Sequence, residues 1–142
     1  MKLLKRIAFI YILISLSACQ WNRIADHDPQ IDLLLVQSKV KIDTFWQDMA
    51  LQPAAKRQFN RYESAYQDIH FDLKVLLELN QRRIDNQESI TQTNNLLTLW
   101  RQDISRHKQQ NSFKNFFLKR RHSEYQRMLI SMLKAEQVKP LK

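Results

Sequence analysis

The sequence predicts an all-α protein: a signal peptide followed by an up-down antiparallel four-helix bundle. Three observations carry this. The 142-residue chain holds no glycine and three prolines, a composition suited to helices joined by polar turns. Apolar residues recur at alternating intervals of three and four along four segments, the period of a helix face packed on its neighbours. The breaks between the segments are short, which makes successive helices antiparallel neighbours. No segment competes with the two-residue alternation of a strand. An elongated helical hairpin that dimerises is the alternative arrangement.

Residues 1–18 stand outside the fold. Lys2, Lys5 and Arg6 form a positive start, and the apolar run over residues 7–16 is broken only by Ser15. Ten helical residues span about 15 Å, half a hydrocarbon core, so the run suits a signal segment and is too short to cross a membrane. Leu16-Ser17-Ala18-Cys19 follows. This stretch resembles the lipobox of bacterial lipoproteins, and the resemblance covers residues 1–19. It implies that the Cys19 thiol receives a diacylglyceryl group, that the chain is cut before it, and that acyl chains then hold the protein to a membrane. In such proteins Asp after the cysteine favours the inner membrane. Gln20 therefore implies the outer membrane, with the chain facing the periplasm. Cys19 is the one cysteine, so no disulfide forms within the chain.

The rest divides into the lipidated cysteine with a polar tether, 19–29, and a helical bundle domain, 30–142. The first helix starts behind Pro29 with Asp28 as its N-cap. It turns inward Ile31, Leu34, Leu35, Ser38, Ile42, Phe45, Trp46 and Met49, and stops at Leu51-Gln52-Pro53. The second runs from about 54 to 81, its seam being Phe59, Tyr62, Tyr66, Ile69, Leu73, Leu76 and Asn80. Asp85 caps the third, with Glu88 completing a capping-box pattern. That seam holds Ile90, Thr93, Leu97, Trp100, Ile104 and His107. The fourth begins near Ser112 and carries Phe113, Phe117, Leu118, Tyr125, Met128, Leu129 and Met132.

The absence of glycine excludes phosphate-cradling loops, dinucleotide fingerprints and the nucleophile elbow. No Glu-x-x-His pair of the ferritin-like kind occurs, and Glu63, His70 and His107, the nearest approach to a metal cluster, read as ordinary side chains. A lipidated Cys19 cannot serve as a nucleophile. No enzyme, cofactor or metal site is expected.

Charge is more informative. Three of the 23 basic residues precede Cys19, leaving 20 against 14 acids and a net charge of +6. Residues 19–100 hold nine basic and eleven acidic side chains, whereas residues 101–142 hold eleven and three. Lys119, Arg120 and Arg121 are the densest point, and with Arg127 they form the candidate site for an anion or partner. An envelope location leaves no role for nucleic acid. The expected partners are the membrane, through the lipid anchor, and an anionic envelope component or acidic protein. The expected function is that of a structural or adaptor module. The alternative is a helical carrier of a lipid or other apolar ligand, with Phe116, in the arc Phe113, Phe117 and Leu118, as its cleft candidate.

Overall fold

A computed structural model describes residues 24–141. The signal segment, Cys19, Gln20 and Lys142 lie outside the described residues. Four helices follow one another: α1 (Pro29–Leu51), α2 (Glu63–Gln81), α3 (Gln87–Gln110) and α4 (Asn115–Gln137). Two single 3-10 turns, Ala54–Lys56 and Phe59–Arg61, lead into α2. There is no strand among the described residues.

Asp28 starts α1 as its side chain predicts, accepting hydrogen bonds from the amides of Gln30 (2.9 Å) and Ile31 (3.4 Å). α1 packs on α2 and, most extensively, on α4, while α2 packs on α3. α3 and α4 close the ring with a looser backbone approach. The result is an up-down four-helix bundle.

The interior has two zones. Towards the end where α2 begins, Trp46, Tyr66, Trp100 and Tyr125 are fully buried and meet ring to ring with Phe45, Phe59 and Phe113. Towards the end where α1 begins, Ile31, Leu35, Leu73, Leu76, Leu129 and Met132 form an aliphatic layer. Such large buried side chains supply most of the driving force for folding.

Two element boundaries differ from the sequence reading. The second helix does not begin near 54, because buried Arg57 holds the chain there in 3-10 turns. Its guanidinium donates to the carbonyls of Gln52 (2.8 Å), Phe113 (2.9 Å) and Ala50 (3.2 Å). The amide of Phe59 donates to Asn111 Oδ1 at 3.0 Å. Asp85 does not cap α3, since its φ of 57° places it in the left-handed region and Asn86 takes the cap position. The only other described residue with positive φ is Asn111 (53°), which ends α3. A chain without glycine fills both left-handed positions with Asp and Asn, whose short polar side chains tolerate that region best.

The seam assignment predicts the cost of truncating it. Leu73→Ala and Leu97→Ala remove side chains that are 0% and 2% exposed, so each should lower unfolding free energy by about 2–5 kcal/mol. Phe116→Ala, at an exposed position, should change it by under about 0.5 kcal/mol. Denaturant melts of the three variants decide this, and equal small effects at Leu73 and Leu97 would overturn the assigned core.

Candidate functional site

The tether read over 19–29 ends earlier than the sequence suggests, because residues 25–28 are part of the folded body. The Ala25 amide donates to the Asp85 carbonyl (3.1 Å) and the His27 amide to the Pro140 carbonyl (2.7 Å). The Asp28 amide donates to Glu136 Oε1 at 2.8 Å. The N-terminal segment is thereby pinned between the α2–α3 turn and the end of α4.

Glu136 is nearly fully buried on α4 and organises this end. Arg83 Nη1 reaches its two carboxylate oxygens at 3.2 and 3.3 Å, and Lys139 Nζ donates to Oε2 at 2.6 Å. The same Lys139 donates to Asn86 Oδ1 and Ser89 Oγ, each at 2.9 Å. Asn86 Nδ2 donates in turn to Asn80 Oδ1 (2.7 Å), and Asn80 Nδ2 to Thr93 Oγ1 (3.1 Å). One hydrogen-bonded network thus runs from the interior of the α2–α3 pair to the N-cap of α1. Buried charges are tolerated only when paired and hydrogen-bonded in this way.

A second buried polar cluster bridges α3 and α4. Asp103 is fully buried, accepts a 2.8 Å hydrogen bond from the Tyr125 hydroxyl, and lies 2.9 Å from Arg121 Nε. Arg121 Nη1 also donates to Glu124 Oε2 at 2.7 Å. Burial pushes the Asp103 carboxyl up to about 6, outweighing the Tyr125 hydrogen bond and the Arg121 charge. Burial and the nearby Asp103 raise the Tyr125 hydroxyl well above its ordinary value, so it stays a donor.

These contacts divide the candidate basic residues. Lys119, Arg120 and Arg127 are exposed on α4, but Arg121 is turned inward and belongs to the bundle's architecture. All three acids of residues 101–142, namely Asp103, Glu124 and Glu136, are paired with Arg121, Lys139 or Arg83. Arg101, Arg106, Lys108, Lys114, Lys119, Arg120, Arg127 and Lys134 remain exposed. Among the described residues none of those eight forms an ion pair. Arg120, Arg127 and Lys134 recur every seven residues, about 10.5 Å apart along the outer face of α4.

The histidines do not converge. His107 is buried, donating from Nε2 to the Arg57 carbonyl (2.7 Å) and pairing through Nδ1 with the Tyr66 hydroxyl (3.1 Å). Burial lowers its pKa, keeping the ring neutral. His70 sits beside Arg101 instead, its Nε2 accepting from Arg101 Nε at 3.3 Å. Among the described residues no group of three His, Cys, Asp or Glu side chains is placed to hold a metal ion, and no helix is long and apolar enough to cross a membrane. Phe116 is exposed, whereas Phe113 is buried against His107 and Phe117. Comparison with family models, curated proteins and solved structures finds no match.

Asp103 and Glu136 escaped the sequence reading, though both stand at seam positions. Asp103 lies between Trp100 and His107 at intervals of three and four, and Glu136 follows Leu129 and Met132 at the same intervals. An acid on a packed seam is the signal for a buried ion pair.

The Asp103 carboxyl gives a pH signature. Its folded-state value of about 6 exceeds the free value of 3.8, so the folded state holds this proton more tightly. The corresponding stabilisation is complete below about pH 4 and is lost as pH rises through about 6. The stability difference between the native chain and Asp103→Asn should therefore shift against the native chain by up to about 3 kcal/mol from pH 4 to 7. Neutral His107 contributes in the opposite sense, and the paired comparison cancels it. Melts at a series of pH values test this, and a flat difference would contradict it.

Proposed function

We propose that this chain is a bacterial lipoprotein, held to the outer membrane by acylated Cys19 and facing the periplasm. Its helical bundle acts as a structural or adaptor module for an anionic envelope partner. The observation that carries the adaptor reading is the sorting of charge. The acids of residues 101–142 are each paired with a cation, two of them in the interior, while eight cations point outward from the bundle. A repeated row of exposed cations attracts carboxylate- or phosphate-bearing surfaces, over a screening length of about 8 Å at physiological salt.

The carrier reading has less support. The interior is filled by Trp46, Tyr66, Trp100 and Tyr125, so an apolar ligand would have to open the bundle. No catalytic step is assigned.

Two experiments test the proposal. Cys19→Ser should abolish incorporation of a labelled fatty acid and release the chain from membranes. A labelled, membrane-bound Cys19→Ser product would overturn the anchor. Separately, Arg120, Arg127 and Lys134 are replaced together by Gln, which preserves helix propensity. At about 1 kcal/mol per exposed charge near an anionic surface, binding to the partner should fall about a hundredfold at low salt. Anionic vesicles, purified peptidoglycan and envelope-protein extracts identify which partner responds. Unchanged binding to all three would leave the row a solvated face. Arg121 is kept intact here, since its removal would strand buried Asp103.

A further inference from the structure

The end of the bundle where residues 25–28 are pinned also carries apolar side chains that the core does not use. Ile24 is 63% exposed, Ile84 84%, Val138 82% and Leu141 82%, and the last three are the most exposed large hydrophobic side chains among the described residues. They come from three separate segments yet share one surface. Ile24 borders one shallow depression with Arg82, Ile84 and Asp85, and another with Asp85, Val138 and Pro140. Leu141 follows Pro140, whose carbonyl accepts the His27 amide. The segments are fixed, because Asp85 is held by the Ala25 amide and Lys139, beside Val138, by Glu136.

We propose that this end is a membrane-docking surface. Ile24, Ile84, Val138 and Leu141 enter the boundary between headgroups and acyl chains of a phospholipid bilayer, and the bundle stands on the membrane instead of swinging from it. The proposal rests on the Cys19 anchor proposed above. Cys19, the first residue of the cut and acylated chain, stands five positions before Ile24. Five residues reach at most about 18 Å, so an acyl group on Cys19 holds this end against the bilayer. The opposite end, with exposed Leu51 and Phe116, is about 35 Å away along the 23-residue α1. Branched side chains that gain nothing from the core gain by leaving water at the interface.

Charge does not drive the docking. At this end Arg82 is accompanied by exposed Asp85 and Glu88, while Arg83 and Lys139 are paired with Glu136. Docking therefore needs no anionic lipid and resists salt, unlike binding through the row on α4.

The two ends of α3 provide the test. In the acylated chain the Cys19 sulfur is a thioether, so Gln87→Cys or Gln110→Cys supplies the one free thiol for a fluorophore. Both positions are exposed; Gln87 borders the depression beside Val138 and Gln110 lies at the far end of α3, and neither is one of the four apolar side chains. The full acylated chain is reconstituted in phosphatidylcholine vesicles bearing a headgroup quencher. Position 87 should be strongly quenched and position 110 weakly, with no change at high salt. Ile84→Ser combined with Val138→Ser should lower the docked-to-undocked ratio at position 87 on the order of tenfold or more. Equal quenching at both ends, or no effect of the patch variant, would overturn docking, as would end-to-end self-association in place of quenching. The mass of Cys19 separates the two readings. Equal quenching on an acylated chain overturns docking alone, whereas an unmodified Cys19 overturns the anchor and docking together.

Discussion

The Glu136 carboxylate, 2% exposed, holds together parts of the chain that lie far apart in sequence. It meets the amide that precedes α1, the Arg83 guanidinium in the α2–α3 turn, and Lys139 just beyond α4. Burying such a group costs several kcal/mol, and only its full set of partners offsets this. The ring of helices is closed here by polar contacts and at the other end by aromatic packing. A polar closure specifies geometry, because the Glu136 carboxylate and the Lys139 ammonium find their partners together in one arrangement. That is why the incoming N-terminal segment, the turn and the end of α4 form one surface.

The same sorting of charge shapes the outside. Two of the three acids that would neutralise the second half of the chain, Asp103 and Glu136, are drawn inward and fully or nearly fully buried. Their cationic partners, Arg121, Arg83 and Lys139, go with them. What is left outward on α3 and α4 is more uniformly positive than the composition alone implies. The pinned end, by contrast, is apolar and of mixed charge. The two surfaces point in different directions: one lies along the side of the bundle and the other at the end where residues 25–28 are pinned.

Most of the fold was legible in the sequence because three-and-four spacing maps directly onto buried faces. The seams through Phe59 to Asn80 and through Thr93 to His107 are buried or half-buried as that spacing requires. Legibility failed where one residue overrode local preference. Arg57 gave no pattern to detect, yet its three carbonyl contacts reshape the start of the second helix. Asp85 resembled a cap in sequence but was needed in the left-handed region, a role the absence of glycine forced on it. Arg121 resembled its neighbours Lys119 and Arg120. Which of three adjacent cations faces inward depends on a helix phase that only Asp103, across on α3, makes visible. Residues 25–28 carry no periodicity, so their hydrogen bonds to distant carbonyls had no local signature.

The central claim is that the N-terminal segment is built into the bundle by Glu136. Native-state hydrogen exchange of the His27 and Asp28 amides tests it most directly. In the native chain both should be protected well beyond an open peptide. Glu136→Ala should expose them selectively while amides of the α3 segment around Trp100 stay protected. Exchange of both amides at open-chain rates in the native protein would contradict the account.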